Sequence, residues 1–141
     1  MMGRRINLLG VHCSATPPGM DIGAVEIRAW HLERGWRDIG YHAGVVRSGP
    51  DFEVVNGRPF AEEGAHAKGA NYDSIGICFE GNFEVELPHR RQIEVGVALL
   101  TSLCLRFTID PLTGIYGHRD VGTTATVCPG KWFPLDELRG M

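Results

Sequence analysis

The sequence predicts an α/β fold, a single domain over residues 1–141 with a central mixed β-sheet flanked by helices. Short runs of β-branched and other apolar residues alternate along the chain with longer segments of helical periodicity, as is typical of helices packed on a sheet. Two neighbouring strands are joined by a tight turn, which adds an antiparallel pair to an otherwise parallel pattern. A chain of 141 residues is long enough to bury one hydrophobic core.

Five short segments are predicted to be strands, because each is rich in apolar or β-branched residues and bounded by turn residues. They are Ile6–Val11, Tyr41–Arg47, Phe52–Val55, Ser74–Phe79 and Ile115–Gly117. The second and third flank the turn Ser48–Asp51, which predicts a hairpin.

Three segments are predicted to be helical. The first runs from a capping Asp21 to about Arg34, before Gly35. The longest begins at Pro88 and ends near Phe107, and it keeps one apolar stripe formed by Ile93, Val97, Leu100 and Cys104. A terminal helical turn is expected over Leu135–Arg139.

The composition excludes several classes of protein. No apolar run approaches the ~20 residues of a membrane helix, and the amino terminus has no small-residue cleavage site, so we expect no membrane partner and no signal peptide. The net charge of −3 comes without a dense basic cluster, which argues against nucleic-acid binding. We expect a monomer.

The four cysteines show no close pairing of the kind that secreted disulfide frameworks display, which favours free thiols in a reducing compartment. Cys13, Cys78 and Cys104 lie in apolar surroundings and are expected to be buried. Cys128 differs, because it precedes Pro129 in a loop near His118.

Three dispersed residues, His12, His118 and Cys128, are candidates for a metal site, because each is predicted at the end of a strand or in the loop after it. Three protein donors are typical of a catalytic zinc, whereas structural zinc sites have four. On its own this signal is weak, since a histidine on an apolar strand is more often a hydrogen-bonded core residue.

Five sequence segments, taken in their order along the chain, strengthen the prediction of a metal site. They are VHCSAT at 11–16, EIRAWH at 26–31, GWRDIGYHAGVVR at 35–47, GAHAKGANYDSIGICFEGNF at 64–83 and GHRDVGTTATVCPG at 117–130. Together they resemble the type-2 N-acetylmuramoyl-L-alanine amidases, zinc enzymes that cleave peptidoglycan. This family includes the T-seven-type phage lysozymes, to which the match is closest, and the animal peptidoglycan-recognition proteins. The resemblance covers roughly residues 6–134 and implies the peptidoglycan-recognition fold.

The resemblance implies that His12, His118 and Cys128 bind Zn²⁺ and that the hydroxyl of Tyr41 is catalytic. It also implies that Thr126 stands where the phage lysozymes have a catalytic lysine. A threonine hydroxyl can donate a hydrogen bond to an oxyanion but brings no positive charge. Active peptidoglycan-recognition amidases resemble this chain in using threonine there.

His66, Lys68 and Asn71 lie in a loop that borders the substrate groove in the family, so they are candidates for contact with muramyl sugar or stem peptide. The alternative is a solvated loop whose small residues serve turn geometry. His42 should point away from Tyr41, and Arg119 and Asp120 are candidates to orient His118 or its loop.

The function that the resemblance implies is hydrolysis of the amide between N-acetylmuramic acid and L-alanine of peptidoglycan. Two rivals remain: a module that binds peptidoglycan without cutting it, and a Cys–His hydrolase with Cys128 as nucleophile. The phage resemblance favours an endolysin that is made in the host cytoplasm and acts on the cell wall after release. Some phage lysozymes also regulate a phage RNA polymerase, which nothing in this sequence supports or excludes.

Overall fold

A computed structural model describes residues 4–16, 29 and 40–140. The helix predicted over Asp21–Arg34 lies outside the described residues. The described chain forms one sheet of five strands in the order β3-β2-β4-β1-β5. The strands are β1 (Leu8–Cys13), β2 (Ala43–Ser48), β3 (Asp51–Asn56), β4 (Ser74–Phe79) and β5 (Ile115–Gly117).

The sheet is mixed, as predicted. The β2–β3 hairpin is antiparallel, whereas β2 pairs with β4 in parallel, and β1 pairs in parallel with both β4 and β5. Parallel neighbours end at the same edge of the sheet, so residues at the carboxyl ends of β1 and β5 are brought together.

Three helices lie beside the sheet in the described part of the chain: α1 (Arg90–Phe107), α2 (Pro111–Gly114) and α3 (Leu135–Arg139). The predicted start of α1 at Pro88 was two residues early, because His89 is still extended, with a ψ of 143°. Single 3₁₀ turns cover Asn71–Asp73 and His118–Asp120.

The core lies between α1 and the sheet. Every residue of β4 is buried, and the Phe79 ring packs against α1 at Gly96. A Cβ added at Gly96 would lie 2.4 Å from that ring, so the absence of a side chain lets the helix approach the strand. This packing holds β4, and through it β1, in a fixed position.

Strand β1 is shifted two residues from its predicted bounds. Pairing with β4 continues through His12↔Cys78 and Cys13↔Phe79, so the strand extends beyond Val11. His12 therefore lies within a strand rather than in the loop that follows it. A side chain held by a paired backbone is positioned more tightly than one on a loop.

Two further sequence-based expectations concern membranes and thiols. No helix formed by the described residues is long and apolar enough to cross a membrane. All four cysteines are free thiols. Cys78 and Cys104 are buried as predicted, but Cys13 is only half-buried, because it occupies the last position of β1 beside the open edge.

Candidate metal centre

The register of the sheet brings His12 and His118 together. Val11 of β1 is paired with Gly117 of β5, and each histidine is the next residue along the chain after one of these two partners. Their ring centroids are 4.6 Å apart. His12 is 1% exposed, whereas His118, which opens a 3₁₀ turn, is half-buried.

The loop carrying Cys128 is tied back onto this edge of the sheet. The backbone N–H of Arg119 donates to the carbonyl of Cys128 at 2.8 Å, and the Arg119 guanidinium donates to the carbonyl of Gly130 at 3.0 Å. The Sγ of Cys128 accepts from the backbone N–H of Cys13 at 3.3 Å and lies 3.9 Å from His12 Nδ1. Arg119 thus holds the loop in the way that the sequence suggested.

His12, His118 and Cys128 each offer one ligand atom, and these atoms lie within 4.8 Å of one another. We call these three residues the donor cluster. Bond lengths of about 2.0–2.1 Å to nitrogen and 2.3 Å to sulfur at a tetrahedral angle imply nitrogen–sulfur separations of about 3.6 Å. The observed 3.9 Å between His12 Nδ1 and Cys128 Sγ is close to that value.

Two further observations fit a cation at the donor cluster. Among the described residues, His118 Nε2 is the only buried side-chain nitrogen or oxygen without a hydrogen-bond partner. Such orphaned groups are rare in proteins unless an ion or ligand satisfies them. The thiols of Cys13 and Cys128 lie 3.9 Å apart, and their shared hydrogen bond lowers the pKa of Cys13 to about 7. The thiol pair can therefore carry a negative charge near neutral pH.

Tyr41 lies against the donor cluster, with its ring centroid 5.0 Å from that of His12. Burial, and then the negative potential of the Cys78, Cys128 and Cys13 thiols, raises the pKa of its hydroxyl well above the usual value. The hydroxyl therefore keeps its proton and can act as a hydrogen-bond donor.

Thr126 is half-buried and lies in the loop before Cys128. Its Oγ1 accepts a hydrogen bond from the backbone N–H of Cys128 at 3.1 Å. This bond uses a lone pair of the hydroxyl, so its proton remains available for donation to another group.

An open pocket of about 340 Å³ borders His118, and all three residues predicted to contact substrate line it. Lys68 is exposed. His66 is 7% exposed and makes internal hydrogen bonds, and Asn71 Oδ1 accepts from the backbone N–H groups of His66 and Ala67 at 2.9 and 2.8 Å. Of the three, Lys68 presents its side chain most openly.

His66 also contacts the donor cluster, which its sequence position does not indicate. His66 Nδ1 lies 2.8 Å from His12 Nε2, and His66 Nε2 lies 2.9 Å from Ser74 Oγ. Burial, followed by the positive charge of neighbouring groups, lowers the pKa of His66 to about 3, so the ring is neutral. Residues 12 and 66 are 54 positions apart, and no local pattern links them.

The fold and the arrangement of the donor cluster fit a metal-dependent enzyme. Two imidazoles and a thiol converge beside a pocket at the carboxyl edge of a mixed sheet, and three protein donors of this kind are what a catalytic metal site needs. A family model described as N-acetylmuramoyl-L-alanine amidase matches residues 2–131. The endolysin of Escherichia phage T7 is 49% identical, and the match covers 91% of this chain and 85% of the relative.

Solved structures agree. The N-acetylmuramoyl-L-alanine amidase LysC from Clostridium intestinale superposes with a TM-score of 0.85 at 31% identity, over 97% of this chain and 85% of LysC. A Drosophila PGRP-LB mutant in complex with tracheal cytotoxin gives a TM-score of 0.79 at 29% identity, over 97% of this chain and 82% of that one.

The chain therefore belongs to the N-acetylmuramoyl-L-alanine amidase family, and the family, fold and enzyme class that the sequence motifs predicted are confirmed. It is a peptidoglycan amidase related to the phage endolysins.

Proposed function

We propose that this amidase is zinc-dependent and cleaves the amide between the lactyl group of N-acetylmuramic acid and L-alanine, using His12, His118 and Cys128 as metal ligands. The observation that carries the proposal is the convergence of these three side chains, with ligand atoms within 4.8 Å of one another. Three protein donors would hold the ion without saturating it, as in catalytic zinc sites.

Zinc suits this donor set better than the harder cations do. Two imidazoles and a thiol are soft or borderline ligands, which Mg²⁺ and Ca²⁺ avoid in favour of oxygen. Held there, zinc would supply a Lewis acid able to polarise the scissile carbonyl and to make water nucleophilic at neutral pH.

Tyr41 is proposed to stabilise the oxyanion of the tetrahedral intermediate. Its ring lies beside His12, and its raised pKa keeps the hydroxyl protonated, so it can donate to developing negative charge.

Thr126 is proposed as a second donor to the same oxyanion. Its Oγ1 is held by the backbone N–H of Cys128, two residues from the thiol. A neutral hydroxyl contributes less electrostatic stabilisation than an ammonium group at the same place. We therefore assign Thr126 a smaller share of catalysis than Tyr41.

The pocket beside His118 is proposed to receive the substrate, with His66, Lys68 and Asn71 along its wall. Lys68 is exposed and cationic, so it can pair with a carboxylate of the stem peptide. The binding of tracheal cytotoxin by a relative of the same fold supports a peptidoglycan fragment as the ligand class.

We further propose that residues 1–141 act as one catalytic domain, as a monomer, in a phage or prophage endolysin that is made in the host cytoplasm and reaches the cell wall after release. The similarity to phage endolysins over 91% of the chain supports this biological role.

The test is the replacement Cys128→Ser, with Cys104→Ser as the matched control because Cys104 is a free thiol in α1. Zinc content and the release of stem peptides from purified peptidoglycan are measured on both. We expect Cys128→Ser to lose zinc and hydrolysis together, while Cys104→Ser keeps both. Full hydrolysis by Cys128→Ser would contradict the proposal, and peptidoglycan binding without hydrolysis by the wild-type chain would favour the binding module.

A further inference from the structure

The chain of hydrogen bonds behind His12 has a fixed direction. The Ser74 hydroxyl donates its single proton to the carbonyl oxygen of Ala70 at 2.7 Å, because a carbonyl can only accept. Ser74 Oγ, 2.9 Å from His66 Nε2, must then act as the acceptor of that second contact. His66 therefore carries its proton on Nε2.

The proton on Nε2 of His66 also determines which nitrogen of His12 is protonated. A neutral imidazole has one protonated nitrogen, so His66 Nδ1 is an acceptor. His12 Nε2 lies 2.8 Å from it and must be the donor. In the neutral ring of His12 the proton is thus on Nε2, and Nδ1, which faces Cys128 Sγ at 3.9 Å, carries none. That is the tautomer that a metal ligand at Nδ1 requires.

We infer that His66 is a positioning residue for the metal site: it fixes the tautomer and orientation of His12 so that Nδ1 is presented towards Cys128. This inference rests on the proposed role of His12 as a zinc ligand and goes beyond the predicted contact of His66 with substrate. It makes the segment Ala70–Ser74 part of the support of the metal centre, although none of its residues belongs to the donor cluster.

The fold builds a place for this ring. Gly10 of β1 and Gly76 of β4 are cross-strand partners, and the His66 ring lies against both. A Cβ at Gly76 would lie 2.5 Å from His66 Cγ, and a Cβ at Gly10 would lie 3.2 Å from His66 Cε1. Real Cβ atoms do not approach other atoms as closely as 2.5 Å. The paired glycines therefore leave the space that the ring fills.

The backbone of His66 is held as well. Asn71 Oδ1 accepts from the N–H groups of His66 and Ala67, which fixes the start of the loop against the 3₁₀ turn Asn71–Asp73. The ring is thus restrained at its backbone, at both nitrogens and by the glycine pair. Such support is what outer-shell partners of metal-bound histidines provide.

The first test needs no variant. Long-range ¹H–¹⁵N correlation spectra of the metal-free, ¹⁵N-labelled wild-type chain report which ring nitrogen of each histidine is protonated. We expect His12 and His66 both to carry the proton on Nε2. A proton on Nδ1 of His12, or an equal mixture of tautomers, would overturn the inference.

The second test compares His66→Leu with His66→Asn. The two side chains have nearly the same shape, but only asparagine can place an amide oxygen near the position of Nδ1 to accept from His12. Zinc affinity is measured by competition with a chromophoric chelator, and folding by far-ultraviolet circular dichroism. Removing an outer-shell partner typically lowers metal affinity about 10–100-fold, so we expect that loss in His66→Leu and partial recovery in His66→Asn.

The outcomes separate the inference from the proposed function. Wild-type zinc affinity in a folded His66→Leu overturns the inference and leaves the zinc enzyme intact. A wild-type chain that binds no zinc overturns the proposed function and with it the metal-site part of the inference, while the tautomer of His12 still tests whether His66 fixes that ring. Should His66→Leu fail to fold, the wild-type spectra and the zinc affinity of His66→Asn decide whether the inference stands.

Discussion

Two histidines, one within β1 and one just before β2, are equally buried but differ in what surrounds them. His12 and His42 are each 1% exposed. The ring of His42 is bound by backbone groups, since Nδ1 accepts from the N–H of Gly76 at 3.0 Å and Nε2 lies 2.8 Å from the carbonyl of Glu62. The ring of His12 instead meets other titratable side chains, among them His66, His118 and Cys128.

The two regions differ in charge as well. Arg4 Nη2 lies 2.9 Å from His42 Nε2, and burial together with the charges of Arg4 and Arg58 lowers the pKa of His42 to about 4. A cation would be repelled there. The surroundings of His12 include the thiol pair of Cys13 and Cys128, which can carry a negative charge near neutral pH and would attract a cation. Burial alone therefore does not distinguish a structural histidine from a candidate metal ligand, whereas the partners of the two ring nitrogens do.

The largest effect is expected from replacing one histidine in each of the two regions with alanine. His118→Ala should lose zinc and reduce hydrolysis to background, with little loss of stability because the residue is half-buried. His42→Ala should keep zinc but lower the free energy of unfolding by about 2–4 kcal/mol, because the Gly76 N–H and the Glu62 carbonyl lose their partner. Zinc content and urea unfolding of both variants check this. Loss of zinc in a folded His42→Ala would erase the distinction.

The next largest effect is expected at Tyr41. Tyr41→Phe keeps the ring against His12 but removes the hydroxyl. We expect kcat to fall about 10²–10³-fold, as for removal of other oxyanion donors, with zinc content unchanged. Steady-state hydrolysis of a soluble muropeptide measures it. An unaltered kcat would remove Tyr41 from the chemistry and leave it as a packing residue.

The pH dependence of stability sharpens the view of His42 as structural. Its pKa is about 4 in the folded chain and about 6.5 when unfolded, so the unfolded state binds more protons below pH 6.5. The contribution is fully present above pH 6.5 and is lost as pH falls towards 4, at up to about 1.4 kcal/mol per pH unit. The total over this window is about 3 kcal/mol.

Urea unfolding between pH 4 and 7 is the measurement, with metal removed by a chelator and His42→Gln as the reference. The other histidines are common to both chains, so the difference in slope reports His42. Parallel slopes in the two chains would show that His42 titrates normally and that its burial is not decisive.

The smallest effect is expected at Thr126. Thr126→Val has the same shape but no hydroxyl, and a net hydrogen bond is worth about 0.5–1.5 kcal/mol, so kcat should fall by at most about tenfold. Thr126→Ser should stay near wild type. Zinc content serves as the control, because Thr126 also holds the backbone N–H of Cys128. Equal kcat values for Thr126→Val and Thr126→Ser would show that the Thr126 hydroxyl has no part in catalysis.

Much of the fold could be predicted from local sequence. The segments Ser74–Phe79, Ile115–Gly117 and Leu135–Arg139 have the predicted bounds, because each is an apolar or capped run between clear turn residues. The short helix Pro111–Gly114 was missed, although its signal was present: Asp110 caps Leu112 N–H and Pro111 occupies the first turn.

What local patterns could not supply is long-range geometry. The sequence motifs predicted the three residues of the donor cluster. The register Val11↔Gly117 brings the two histidines of the cluster together. No sequence pattern near His66 indicates its contact with His12. In the same way, VHC at 11–13 and YHA at 41–43 are both strand histidines by sequence. Their different partners come from β4 and from loops far away along the chain.

The most direct test of the proposed metal centre is zinc K-edge X-ray absorption on the chain purified without chelators. We predict one zinc per chain with a single sulfur neighbour at about 2.3 Å and nitrogen or oxygen neighbours at about 2.0–2.1 Å. The absence of zinc, or a zinc without sulfur, would contradict a metal centre built from His12, His118 and Cys128.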